Sequence, residues 1–123
     1  MQKIKKKYTC FIFLLFISCE SKTIAEFKIK NSTNFKIDSL VIQPNASLIE
    51  KYVSIKPNET YIYKADMTTI PKCDGSYLLS YKIKSKHFKE GFGYYTNGYP
   101  CESEVKIKIE FDTVYYESKF NNY

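Results

Sequence analysis

Three features of the sequence predict an all-β fold, a small antiparallel β-sandwich. Apolar and polar residues alternate in short runs, and turn residues interrupt these runs at roughly 8–12-residue spacing. After the first residues of the chain, no window of about 11 residues or more carries a 3.6-residue apolar period. Period two puts successive side chains on opposite faces of a strand, so each run has one face for a core and one for water.

The strands follow in order. Phe27 and Ile29 alternate with Lys28 and Lys30, and Asn31-Ser32-Thr33-Asn34 makes a turn. Phe35 and Ile37 share one phase, Leu40 and Ile42 the other, so a β-bulge or bend is expected at Asp38-Ser39. Pro44-Asn45 closes that strand, and Ser47–Lys51 has room for one helical turn. Tyr52–Ile55 and Thr60–Ala65 read as a hairpin across Lys56–Glu59, with Pro57-Asn58 as its turn. A loop carries Pro71, Cys73 and Asp74-Gly75, after which Tyr77, Leu79, Tyr81 and Ile83 mark a clear strand. Another strand centres on Phe92–Tyr95. Val105, Ile107, Ile109 and Phe111 against Lys106, Lys108 and Glu110 give the cleanest amphipathic strand, which Val114–Tyr116 extends or follows. The sum is seven or eight strands, immunoglobulin-like in general architecture, over residues 24–118, with 119–123 as a tail.

The first residues have another character. Lys3, Lys5, Lys6 and Lys7 precede an apolar run from Tyr8 to Ile17, and Phe16-Ile17-Ser18-Cys19 then sets a small residue before a cysteine. A basic head, a short apolar segment and a small-residue cleavage point make an export signal. At about 10 residues the apolar run is well short of the roughly 20 that span a bilayer. The segment resembles the signal of bacterial lipoproteins, with Ser18 and Cys19 on the lipobox positions and Phe16 where leucine is commonest. The resemblance implies that residues 1–18 are removed, that Cys19 is lipidated and heads the mature chain, and that 19–23 form a tether. It also implies a bacterial envelope address, at the outer membrane or cell surface. Several acyl chains on one cysteine hold a protein durably, whereas one holds it weakly.

Cleavage changes the charge. Four of the 19 lysines lie in the signal and none of the 13 acids does, so 15 lysines face 13 acids in the mature chain, a net +2. Every basic residue is lysine. Without arginine there is no bidentate fork for phosphate or guanine, and no nucleic-acid partner is expected. Cys73 and Cys101 remain as an even pair in an exported domain, and one disulfide is the expectation. Closing that loop would contribute about 3–4 kcal/mol in the chain-entropy account. Free thiols or a metal pair are the alternatives, the latter short of ligands with His87 as the single histidine.

Little here points to chemistry, and neither a metal nor a cofactor is expected. A Ser-His-Asp arrangement would have to use His87, which lies in the lysine-rich stretch Lys84–Lys89. Asp66 and Asp74 flank one loop but fit no calcium-loop spacing. The most individual segment is Gly91–Cys101, with three of the four glycines and four aromatics. It makes Phe92, Tyr94, Tyr95, Asn97 and Tyr99 the candidate binding loop, because tyrosine covers contact area at low entropic cost. The competing reading is a hairpin whose aromatics complete the core around a type I′ turn at Asn97-Gly98. The functional expectation is a non-enzymatic binding module tethered through Cys19 to a membrane, acting on an envelope protein or an incoming one. Its alternatives are an inhibitor or immunity lipoprotein against a toxin or hydrolase and, further off, a small secreted hydrolase.

Overall fold

A computed structural model describes residues 21–46 and 52–120; the lipobox residues, Cys19 and the Ser47–Lys51 turn lie outside them. Nine strands and no helix occur among the described residues. In chain order they are β1 (Ile24–Asn31), β2 (Ile37–Gln43), β3 (Val53–Ile55), β4 (Thr60–Asp66), β5 (Gly75–Ile83), β6 (Lys86–Thr96), β7 (Tyr99–Pro100), β8 (Glu102–Ile109) and β9 (Val114–Phe120). They form two sheets, ordered β4-β1-β8-β9 and β3-β2-β5-β6-β7. The core lies between the sheets. Phe27, Ile29, Tyr63, Ile107 and Ile109 enter it from the first sheet, and Ile37, Leu40, Ile42, Ile55, Tyr77 and Leu79 from the second. Alternation in β1, in β5 and in β8 from Val105 onward translates directly into burial, as period two requires.

Several sequence expectations need correction. Nine strands replace seven or eight, because Tyr99–Pro100 pairs on its own after its turn and Val114–Phe120 is a separate strand. The latter carries regular structure through Phe120, so Lys119 and Phe120 pair with β8 instead of forming a tail. The sandwich is not wholly antiparallel, since β1 and β8 run parallel with Phe27 opposite Val105 and Ile29 opposite Ile107. No disulfide joins Cys73 and Cys101; both are free thiols, the first exposed and the second half-buried. The Cys101 sulfur instead sits 3.2 Å from the Thr96 hydroxyl.

The expected β3–β4 hairpin is absent. β3 pairs with β2 and β4 with β1, so Lys56–Glu59 carries the chain from one sheet to the other. The crossing lets Ile55 and Tyr63 bury from opposite walls of the same core. Asn31 holds it in place. This last residue of β1 is fully buried, and its Nδ2 donates to the Phe35 carbonyl (2.7 Å) and the Ile55 carbonyl (2.9 Å). Its Oδ1 accepts from the Thr33 backbone N–H at 2.9 Å and the Thr33 hydroxyl at 2.7 Å. Its own N–H donates to Glu59 O (3.0 Å), and its carbonyl accepts from Asn58 N–H (2.8 Å). A buried amide is inexpensive only when its donors and acceptors are satisfied, and here all are.

The bulge expected at Asp38-Ser39 is present. Pairing of β2 with β5 shifts register between Asp38 and Val41, and Ser39 has φ of 51°. The Asp38 carboxylate fastens it, accepting from Ser39 N–H at 2.9 Å and from the Ser54 hydroxyl at 2.8 Å.

Replacing Asn31 by Asp puts oxygen against the Phe35 and Ile55 carbonyls with little change in volume. Loss of two buried hydrogen bonds and the new repulsion should cost about 3 kcal/mol or more, read as a lower urea midpoint. A cost below about 1 kcal/mol would remove Asn31 from its proposed structural role.

Candidate functional site

The Gly91–Cys101 segment is built on β6 and β7, the outer strands of the five-stranded sheet. Period two alone would put Phe92 and Tyr94 on one face. Instead Gly93 takes φ of +60° and the β5–β6 register shifts between Gly75 and Tyr77, a bulge of the kind that needs glycine. Phe92 therefore points into the core, edge-on to Phe27 at 5.5 Å and stacked on Tyr116 at 4.8 Å. Past the bulge the phase is reversed. Tyr94 turns to solvent, and half-buried Tyr95 packs at 5.4 Å on Tyr77, where Gly75 leaves room for its ring.

Asn97 and Gly98 have φ of 51° and 76°, and Thr96 pairs with Tyr99. Two central residues at positive φ make this the type I′ hairpin that Asn-Gly favours. The 71–74 loop supports it from below. Gly98 N–H donates to Cys73 O (3.0 Å), Asn97 N–H donates to Asp74 Oδ1 (2.9 Å), and Lys72 Nζ stands 4.5 Å over the Tyr99 ring. The tie between the Cys73 loop and the Cys101 hairpin is thus made of hydrogen bonds, not sulfur. Of the five candidate contact residues, Phe92 and Tyr95 belong to the core and its margin, whereas Tyr94, Asn97 and Tyr99 form an exposed tip.

Glu102 completes the site and was not singled out in the sequence. It is 8% exposed, and its Oε1 accepts from Tyr94 N–H at 3.1 Å, fixing the backbone at the bulge. β8 shifts register against β9 between Glu102 and Glu104, which turns Glu102 inward against the simple alternation. Burial, then the Glu102 charge, pushes the Tyr77 phenol well above its usual range. Burial acts first on Tyr81 and Tyr116 too, with Glu90 adding to it; Tyr81 is pushed up to about 12 and Tyr116 also moves upward.

The other candidates are dispersed. His87 is exposed on β6 directly across from Lys82. Asp66 Oδ1 accepts from Thr68 N–H in its own turn, whereas Asp74 accepts from Asn97 N–H of the hairpin, so each carboxylate is engaged in holding backbone. No cluster of three metal-ligating side chains occurs among the described residues. No protein-family model, curated protein or solved structure matches the chain.

Gly93→Ala sets a Cβ 2.9 Å from the Tyr77 ring at a left-handed backbone position, and should cost about 1–3 kcal/mol in thermal or urea unfolding. A fully stable Gly93→Ala protein would contradict the bulge. The tyrosines predict alkaline sensitivity. Their folded pKa values exceed the unfolded value of 10.0, so the unfolded chain loses phenolic protons first. Their contribution is whole below pH 10 and is lost as pH rises from there through about 12. A melting temperature that stays flat across that window would contradict their burial.

Proposed function

We propose that this chain is a lipid-anchored, non-enzymatic binding module of a bacterial envelope, which presents the Tyr94–Tyr99 tip to a protein partner. The observation that carries the reading is the preset tip. Tyr94 and Tyr99 are 46% and 51% exposed, on a hairpin whose turn is clamped by Cys73 O and Asp74 Oδ1 and whose Tyr94 N–H is held by Glu102. An aromatic surface held in place before binding loses little conformational freedom when it docks. The address is supported by Lys3–Cys19 alone, through its lipobox resemblance. The immunoglobulin-like description belongs to the same reading, supported by two facing sheets around one core.

The same tip favours an inhibitor or immunity lipoprotein as the second reading, since a rigid hairpin suits a cleft in an incoming toxin or hydrolase. The readings differ in the partner: a resident envelope protein in one case, an exogenous soluble protein in the other.

A photoreactive amino acid at position 94 or 99, used in intact cells, should trap one defined partner. Tyr94→Ala/Tyr99→Ala should weaken that complex by about tenfold or more while leaving the melting temperature unchanged. Undiminished binding by the folded double variant would remove the tip from the function.

A further inference from the structure

Lys28 lies directly beside Lys106, and Lys30 directly beside Lys108, because β1 and β8 run parallel and in register. All four extend from the outer face of the four-stranded sheet, opposite the buried Ile29 and Ile107. Neighbouring strands are about 5 Å apart, and like charges directly opposite one another destabilise a sheet. Elsewhere on this face the acids have lysine neighbours. Towards the start of β1, Glu26 is paired in register with Lys64, and Glu104 meets Lys119 at 3.5 Å. At the lysine end, Lys108 reaches Glu110 at 3.1 Å and Glu117 stands across from Lys106. No ion pair holds Lys28 or Lys30 among the described residues. A shallow groove of about 480 Å³ runs over the quartet towards Tyr115. Tyr115 is exposed on the β9 side, and Ile62 on the β4 side beside Lys28.

We infer that the quartet of Lys28, Lys30, Lys106 and Lys108 docks this sheet face on the anionic phospholipid headgroups of a bilayer. Lysine acts as a compact point charge on a flexible stem, suited to dispersed phosphates and not to the fixed bidentate geometry that arginine reads. Tyrosine beside the basic cluster has the amphipathic character found at membrane interfaces. The choice of a bilayer over another polyanion rests on the envelope reading: β1 begins five residues after Cys19, a stretch that spans at most about 18 Å. Each lysine near an anionic surface strengthens attachment about fivefold, and the effect fades within a Debye length.

The test mixes the full chain with vesicles of phosphatidylcholine, or of phosphatidylcholine with phosphatidylglycerol, and follows acetylation of each lysine by mass spectrometry. On the anionic vesicles the four lysines should react at least about fivefold more slowly, with exposed Lys36 and Lys56, which flank β2 and β3 of the other sheet, unchanged, and high salt should abolish the difference. Equal labelling on both vesicle types overturns the proposal. So does equal protection by inorganic phosphate, or protection by an acidic polypeptide and not by vesicles. Lys28→Gln/Lys108→Gln should remove the protection of Lys30 and Lys106 while the melting temperature holds or rises, because like-charge neighbours have been separated. Retained protection in that variant overturns it too. Protection is read whether or not Cys19 carries lipid, so failure of the anchor and failure of the face are separate results.

Discussion

The buried amide of Asn31 is the constraint on which this sandwich depends. Four segments meet there: the end of β1, the approach to β2, the end of β3 and the start of β4. A sandwich must send its chain from one sheet to the other without leaving backbone groups unpaired in the core. Asn31 does this by binding carbonyls on the β2–β3 side with its side chain and the Asn58–Glu59 turn with its backbone. An aliphatic side chain would fill the space but leave the Phe35 and Ile55 carbonyls without these donors, which is why a polar residue is stable in so apolar a position.

With the crossing fixed, β4 pairs along one side of β1 and leaves its other side to β8, which arrives in parallel. Two surfaces follow from the same topology. On the first sheet, the parallel register sets the lysines of β1 beside those of β8. On the second, β6 and β7 lie at the edge, where the bulge at Gly93 and the turn at Asn97-Gly98 raise Tyr94 and Tyr99 out of an otherwise buried aromatic cluster. The two surfaces lie on different sheets, so a membrane contact and a protein contact are compatible in one small domain.

Local chemistry was legible in the sequence, and long-range pairing was not. Alternation located β1, β5 and β8, the phase slip located the Asp38-Ser39 bulge, and Asn97-Gly98 announced its turn. Pro57-Asn58 announced a turn equally well, but the same residues serve a hairpin and an inter-sheet crossing; the difference lies in Asn31, more than twenty residues earlier. Counting cysteines gave a pair without its geometry, and the link between the two loops proved to be hydrogen bonds. Gly93 was the missed local clue, because an isolated glycine within a strand marks a bulge. Glu102 offered no such clue, since only the register shift in β8 turns it inward. The lysine rows were visible one strand at a time, and read singly each is an ordinary solvated face; only the parallel pairing makes them a cluster.

The proposed attachment of this domain to a membrane depends first on the chemistry of Cys19. The most direct measurement is the intact mass and detergent-phase partitioning of the native protein beside a Cys19→Ala variant. The expected mass is that of Cys19–Tyr123 plus acyl chains, with no loss of hydrogens at Cys73 and Cys101, and the native protein should enter the detergent phase while the variant does not. A water-soluble native protein without acyl mass would contradict it.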